Sequence, residues 1–255
     1  MALYFSNTGL EALLDGDRID ERQMSAWMGE AERTDVEGGA YYTKRFASGL
    51  TIIFRTIADE LVGLDMHMSG RSIWTAKPLM RVGEQEPLSI TMLMTSRSEQ
   101  SAFIATLVHA ATLPTFDDQT MIDLQVCAFV QALDIYDSRQ AYEEATPTEM
   151  QVEDKKILPY NFVMSREQSL GQKERERFEA AQTLVLLAGP VIAVEKREHG
   201  WGESGCIVAT VSTEMGHLDL VLGESQIPHP VTKGSYVTSQ CVISADVLEP
   251  QKRLV

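Results

Sequence analysis

The chain has 255 residues, with 22 Lys and Arg against 37 Asp and Glu, a formal net charge of −15. Hydrophobic residues at 44% and charged residues at 23% are ordinary for a globular protein, so a disordered or collagen-like chain is excluded. No more than two basic residues are ever adjacent, which argues against nucleic acid and anionic membrane surfaces, since both reward clustered Lys and Arg.

The chain opens with Thr8 and Glu11 at the spacing of a helical capping box, and Leu10, Leu13 and Leu14 line one face, so a first helix is expected up to Asp15-Gly16-Asp17. Met24, Trp27, Met28 and Ala31 recur at spacings of three and four and predict a second helix from about Ile19 to Glu32, stopped by Gly38-Gly39. From Ala40 the period changes. Tyr42, Leu50, Ile52, Phe54, Leu64, Met66, Met68, Ile73 and Trp74 fall in short alternating pieces, which is strand chemistry. Leu88, Ile90, Met92 and Met94 predict a half-buried strand. Residues 98 to 111, with Phe103, Ile104, Leu107, Val108 and Ala111 on one helical face and Ser98 as cap, are read as a helix. Ile122 to Gln131 alternates cleanly as a strand, and a short helix is expected over Asp137 to Glu144.

Residues 146 to 156 mix Pro with charges and lack an apolar period, so they are read as a linker. This divides the chain into an acidic α+β lobe, 1–150, and a β-rich lobe, 151–255. Their net charges are −12 and −3. Good helix formers fill 172 to 182, and strands follow at 184–195, 206–212, 217–222 and 236–248, with turns at His199-Gly200, Met215-Gly216 and Lys233-Gly234. The expected fold is α+β: an N-terminal helical element and two β-rich lobes, the C-terminal one mostly antiparallel and built as a small, partly open barrel. A faint internal echo relates Leu88–Met94 followed by Phe103–Pro114 to Leu218–Leu222 followed by Tyr236–Leu248.

Cys127, Cys206 and Cys241 are odd in number and have no Cys-x-x-Cys spacing, which fits a reducing compartment. The opening residues lack a basic region and a long apolar stretch. The longest apolar run, Leu184 to Val194, is 11 residues and contains Gly189-Pro190, short of the roughly 20 a spanning helix needs. The expectation is a soluble, cytoplasmic protein.

Trp201-Gly202-Glu203-Ser204-Gly205-Cys206 departs from a nucleophile elbow, because Cys206 stands where the second Gly is required. His199, Cys206, His217, His229 and Cys241 form a pool of metal-ligand types, but intervening gaps of six to eleven residues match no compact zinc pattern, so no metal is expected from it. Asp15 to Glu21 resembles an oxygen-ligand loop yet lacks the Gly at its sixth position, and its acids are better read as helix caps. Glu214, His217 and Asp219 cluster around a turn and are the acid–base candidates, with His67 beside Asp65 read as a half-exposed strand histidine. No Gly-rich phosphate cradle is present, and no cofactor is expected.

With no catalytic spacing and several strands able to leave open edges, the favoured reading is a non-catalytic binding or assembly protein acting on a protein partner or on itself. The alternative is a small-molecule enzyme with its site in the C-terminal half, at Glu214, His217 and Asp219 or in the His199, Cys206, His217 and Cys241 pool.

Overall fold

The structure is a computed structural model. It describes residues 7–10, 14–15, 18–82, 88–99, 101–113, 120–159, 183–200, 205–224, 227 and 229–248. The helix expected over 172–182 and the Trp201–Ser204 loop lie outside these residues.

Two short strands, β1 (Leu14–Asp15) and β2 (Arg18–Ile19), pair antiparallel, so the first expected helix does not extend to Leu14. Helix α1 (Glu21–Glu30) follows. Asp20 caps it by accepting the backbone N–H groups of Arg22 and Gln23 at 2.9 and 3.3 Å, and its Trp27 is buried edge-on to Phe46. The helix ends two residues early, because Ala31 is extended and Glu32–Val36 forms strand β3. Strands β4 (Gly39–Arg45), β5 (Leu50–Ile57) and β6 (Glu60–Met68) complete a four-stranded antiparallel meander. Gly38, at a φ of 87°, makes the β3–β4 turn.

The remaining strands form one nine-stranded sheet. They are β7 (Ile73–Arg81), β8 (Ile90–Ser96), β9 (Ala102–Leu107), β10 (Ile122–Tyr136), β11 (Ile157–Pro159), β12 (Leu184–Glu198), β13 (Gly205–Thr213), β14 (Gly216–Leu222) and β15 (Tyr236–Val247). Helix α2 (Arg139–Ala145) follows β10. The helix expected over 98–111 is instead β9, a mostly apolar strand whose last three residues, Ala105 to Leu107, pair with both β8 and β15. The chain is therefore α+β, with its helical element N-terminal and most of its length in strands.

Strands β10 and β15 pair antiparallel along their lengths and form a spine shared by two closed rings. One ring runs β10-β7-β8-β9-β15, the other β10-β14-β13-β12-β15. Each is a three-strand meander that closes by a parallel step onto the spine, β9 on β15 and β14 on β10. The two ladders superpose: Ile90 faces Leu107 as Ile207 faces Leu222, and Ala76 faces Ile122 as Gly189 faces Val237. One irregularity matches as well, since β7 bulges between Pro78 and Met80 and β12 at the equivalent place, between Val191 and Ala193, whereas the bulge of β10 between Val130 and Ala132 has no counterpart in β15. A pseudo-two-fold axis therefore passes through the pair Ala128 and Ile243. The repeat is that of β7–β10 with β12–β15, so Leu88–Met94 corresponds to β13, and β14 corresponds to β9; the echo aligned by sequence joined different strands.

Inward residues of both rings, among them Trp74, Phe103, Val126, Leu220 and Ile243, form a single apolar cluster. The four-stranded sheet is wedged against this pair of rings. One face, with Leu50, Ile52, Phe54 and Met66, packs on Cys127, Phe129, Val208 and Val221, and the other, with Tyr41 and Ile53, packs on Leu88 and Val108. Residues 146–156 are docked: the Tyr142 hydroxyl accepts the Val152 N–H at 2.7 Å, and Tyr142 stacks on Tyr236. Strands from both sides of residue 150 join the one sheet.

Candidate functional site

Glu214 occupies the β13–β14 turn, where its carboxylate pairs with Lys156 at 3.0 Å and its N–H donates to the Lys155 carbonyl at 2.9 Å. His217 is exposed, and its carbonyl accepts the Trp74 indole N–H at 2.8 Å. Asp219 is 3% exposed and accepts the Thr210 hydroxyl at 2.7 Å. Gly70 lies so close that a Cβ there would sit 2.1 Å from the Asp219 Oδ2, which explains a glycine at that point. Glu214 and Asp219 thus engage different neighbours through their side chains, and His217 is held through its backbone carbonyl.

The ligand-type pool is also dispersed. His199 is buried, with Nε2–H donated to the Thr8 carbonyl at 2.6 Å and Nδ1 accepting the Ser48 hydroxyl at 2.6 Å, so both ring nitrogens are in use as a neutral imidazole. Burial lowers its pKa. Cys206 lies under the four-stranded sheet, whereas Cys241 faces the ring interior. His229 is exposed. Among the described residues, no group of three or more His, Cys, Asp or Glu is placed to hold a metal ion.

The polar cluster that sequence missed lies where the wedge meets the spine. His67 is not half-exposed but 3% exposed, because β6 seats against β10 and β15. Its Nε2–H donates to Gln125 Oε1, and its Nδ1 accepts the Ser244 hydroxyl at 2.9 Å. Cys127 Sγ lies 3.7 Å from the same Nδ1 and accepts the Met68 N–H at 3.2 Å. A cysteine nucleophile would need a thiolate beside an imidazolium, but burial drives both the other way: the His67 pKa falls to about 4 and the Cys127 pKa rises to about 12. The cluster is an uncharged, hydrogen-bonded joint. Only the placement of β6, which is a tertiary fact, makes it visible.

Apart from Met150, at 71% the most exposed, the exposed large hydrophobic residues among those described lie on strands. On β3, the outer strand of the wedge, Glu32, Arg33, Thr34 and Asp35 are all exposed, and such charge blunts edge pairing. β6 carries Leu61 and Val62, 39% and 41% exposed, just after its first residue, Glu60. β7 carries Ile73, Leu79 and Met80 at 56%, 47% and 59%. Leu79 is the extra residue of the bulge, which lets two successive apolar side chains face outward. Among the described residues no helix is long and apolar enough to cross a membrane.

No family model matches the chain, and neither the curated proteins nor the solved structures contain a match to it.

Proposed function

We propose that this is a non-catalytic binding or assembly protein that works through an open strand edge. The observation carrying the reading is β7, whose Ile73, Leu79 and Met80 are about half exposed along a strand that is an edge for part of its length. An edge offers a row of backbone donors and acceptors, and exposed apolar side chains add area to bury, which is the chemistry of strand addition. The charged β3 edge supplies the contrast, since its residues oppose the same event. The net charge of −15 favours a protein partner over nucleic acid. The separate engagement of Glu214, His217 and Asp219 lends the catalytic alternative no support.

The test is native mass spectrometry and sedimentation of the wild type and of a Leu79→Lys, Met80→Glu double variant, alone and with partners identified by cross-linking. The expected result is a stoichiometric complex or self-assembly that the double variant weakens. A wild type that stays monomeric and partnerless across concentrations overturns the reading.

A further inference from the structure

The pseudo-two-fold makes each ring a control for the other, and one place differs. In the ring that contains β12, the short strand β11 pairs antiparallel with the outer edge of that strand, Ile157 with Leu187, Leu158 with Leu186 and Pro159 with Val185. The Ala188 N–H next to it donates to the Lys156 carbonyl at 3.4 Å, and the Lys156 ammonium pairs with Glu214. The aligned ladders equate Val185, Leu186, Leu187 and Ala188 with Ser72, Ile73, Trp74 and Thr75. Among the described residues no strand pairs with that edge of β7, because β8 joins it only from Ala76 onward.

Three observations mark this stretch as a slot. First, the Val126 N–H donates to the Ser72 carbonyl at 2.9 Å, so Ser72 and Val126 form a hydrogen-bonded pair and the alternation of the ladder turns the N–H and C=O groups of Ile73 and Thr75 away from β10. Second, Ile73 is 56% exposed where Leu186, paired with Leu158, is half-buried, and Thr75 is exposed where Ala188 is buried against Tyr142 and Tyr236. Third, the flanking charge is inverted. The position equivalent to Glu214 is Arg97, which is exposed, and Arg71 is exposed at the other end.

We infer that the β7 edge at Ser72–Thr75 is a strand-addition site for an extended segment of a protein partner. That segment carries three apolar residues, as β11 does, and an acidic residue where β11 is preceded by Lys156. The inference rests on the edge-binding reading and names its site and partner chemistry. Backbone hydrogen bonds to Ile73 and Thr75 hold the segment, its middle residue covers the Ile73 side chain as Leu158 covers Leu186, and Arg97 selects the acidic residue.

The probe is an end-blocked peptide, Glu-Asp-Lys-Glu-Ile-Leu-Pro-Tyr, which copies residues 153–160 with glutamate at the place of Lys156, compared with the unaltered copy. Binding to the full chain is followed by amide NMR shifts and fluorescence anisotropy. The acidic peptide is expected to shift Ile73, Thr75 and Arg97 and to bind about fivefold tighter than the unaltered one, the worth of one exposed ion pair. Arg97→Glu should reverse that preference. Ile73→Pro removes only an outward N–H, and should abolish binding with an unchanged melting temperature. Should that variant misfold, Ile73→Asp serves in its place. Shifts at Leu186 instead of Ile73, binding unaffected at Ile73, or no binding by either peptide overturns the inference. So does a dimer of the free protein that Ile73→Pro dissociates, which would seat a second copy in the slot. If the peptides fail while the Leu79/Met80 surface still supports a complex, the slot falls and the edge-binding reading stands.

Discussion

His67 joins the wedge to the spine as a neutral imidazole, and this has a direct consequence for acid stability. Its pKa is lowered from 6.5 to about 4, mainly because burial penalises the charged form. The unfolded chain binds a proton below pH 6.5 that the folded chain refuses until about pH 4. The stabilisation from a neutral His67 is therefore complete above pH 6.5 and lost as pH falls toward 4, by at most about 3 kcal/mol. Burial lowers the pKa of His109 and His199 as well, so they add to the same slope. Urea unfolding between pH 4 and 7 should show a shallower pH dependence for His67→Gln than for the wild type; equal slopes would remove His67 from the account. Sequence marked His67 and Asp219 as polar residues near turns or in strands, but their burial depends on which sheet packs above them. Local pattern does not encode that.

At the level of elements, local chemistry was most legible where one residue satisfies its own neighbourhood. Asp20 accepts two N–H groups at the start of α1, so the acidic run from Asp15 to Glu21 ends in a cap, as the sequence reading preferred to a calcium loop. Asp20→Ala should cost about 1 kcal/mol, read as a lowered urea midpoint without a change in slope, and Asp20→Asn should restore most of it. An alanine variant as stable as wild type would mean that the cap is not formed in solution. Alternation likewise anticipated β5, β8 and β10, as a general strand reading did β12 to β15, each with one face in a core. It failed at β9, where Phe103 to Val108 is apolar except for Thr106, a pattern that helix and buried strand share, and the parallel pairing with β15 decides between them. It failed at β3 for the opposite reason. Glu-Arg-Thr-Asp-Val has no apolar alternation because this strand is an exposed edge, held by its ladder to β4.

For the whole molecule, the organising feature is the spine, since β10 and β15 each belong to both rings and no ring closes without them. Their matching registers, with a bulge at the same step of β7 and β12, were hidden from sequence because equivalent inward positions carry different apolar residues, such as Trp74 with Leu187 and Phe103 with Leu218. A ring interior asks for volume and apolarity, not identity. The repeat nonetheless leaves its two copies unequal at one edge, covered by β11 on β12 and open on β7. Amide hydrogen exchange at Ile73 and Leu186 measures that difference directly in the free protein. The Leu186 amide, held in the ladder with β11, should be strongly protected, while the Ile73 amide should exchange at a rate close to that of an exposed strand edge. An Ile73 amide as protected as that of Leu186 would mean that the edge is already filled, and the central claim of an open strand-addition site would be wrong.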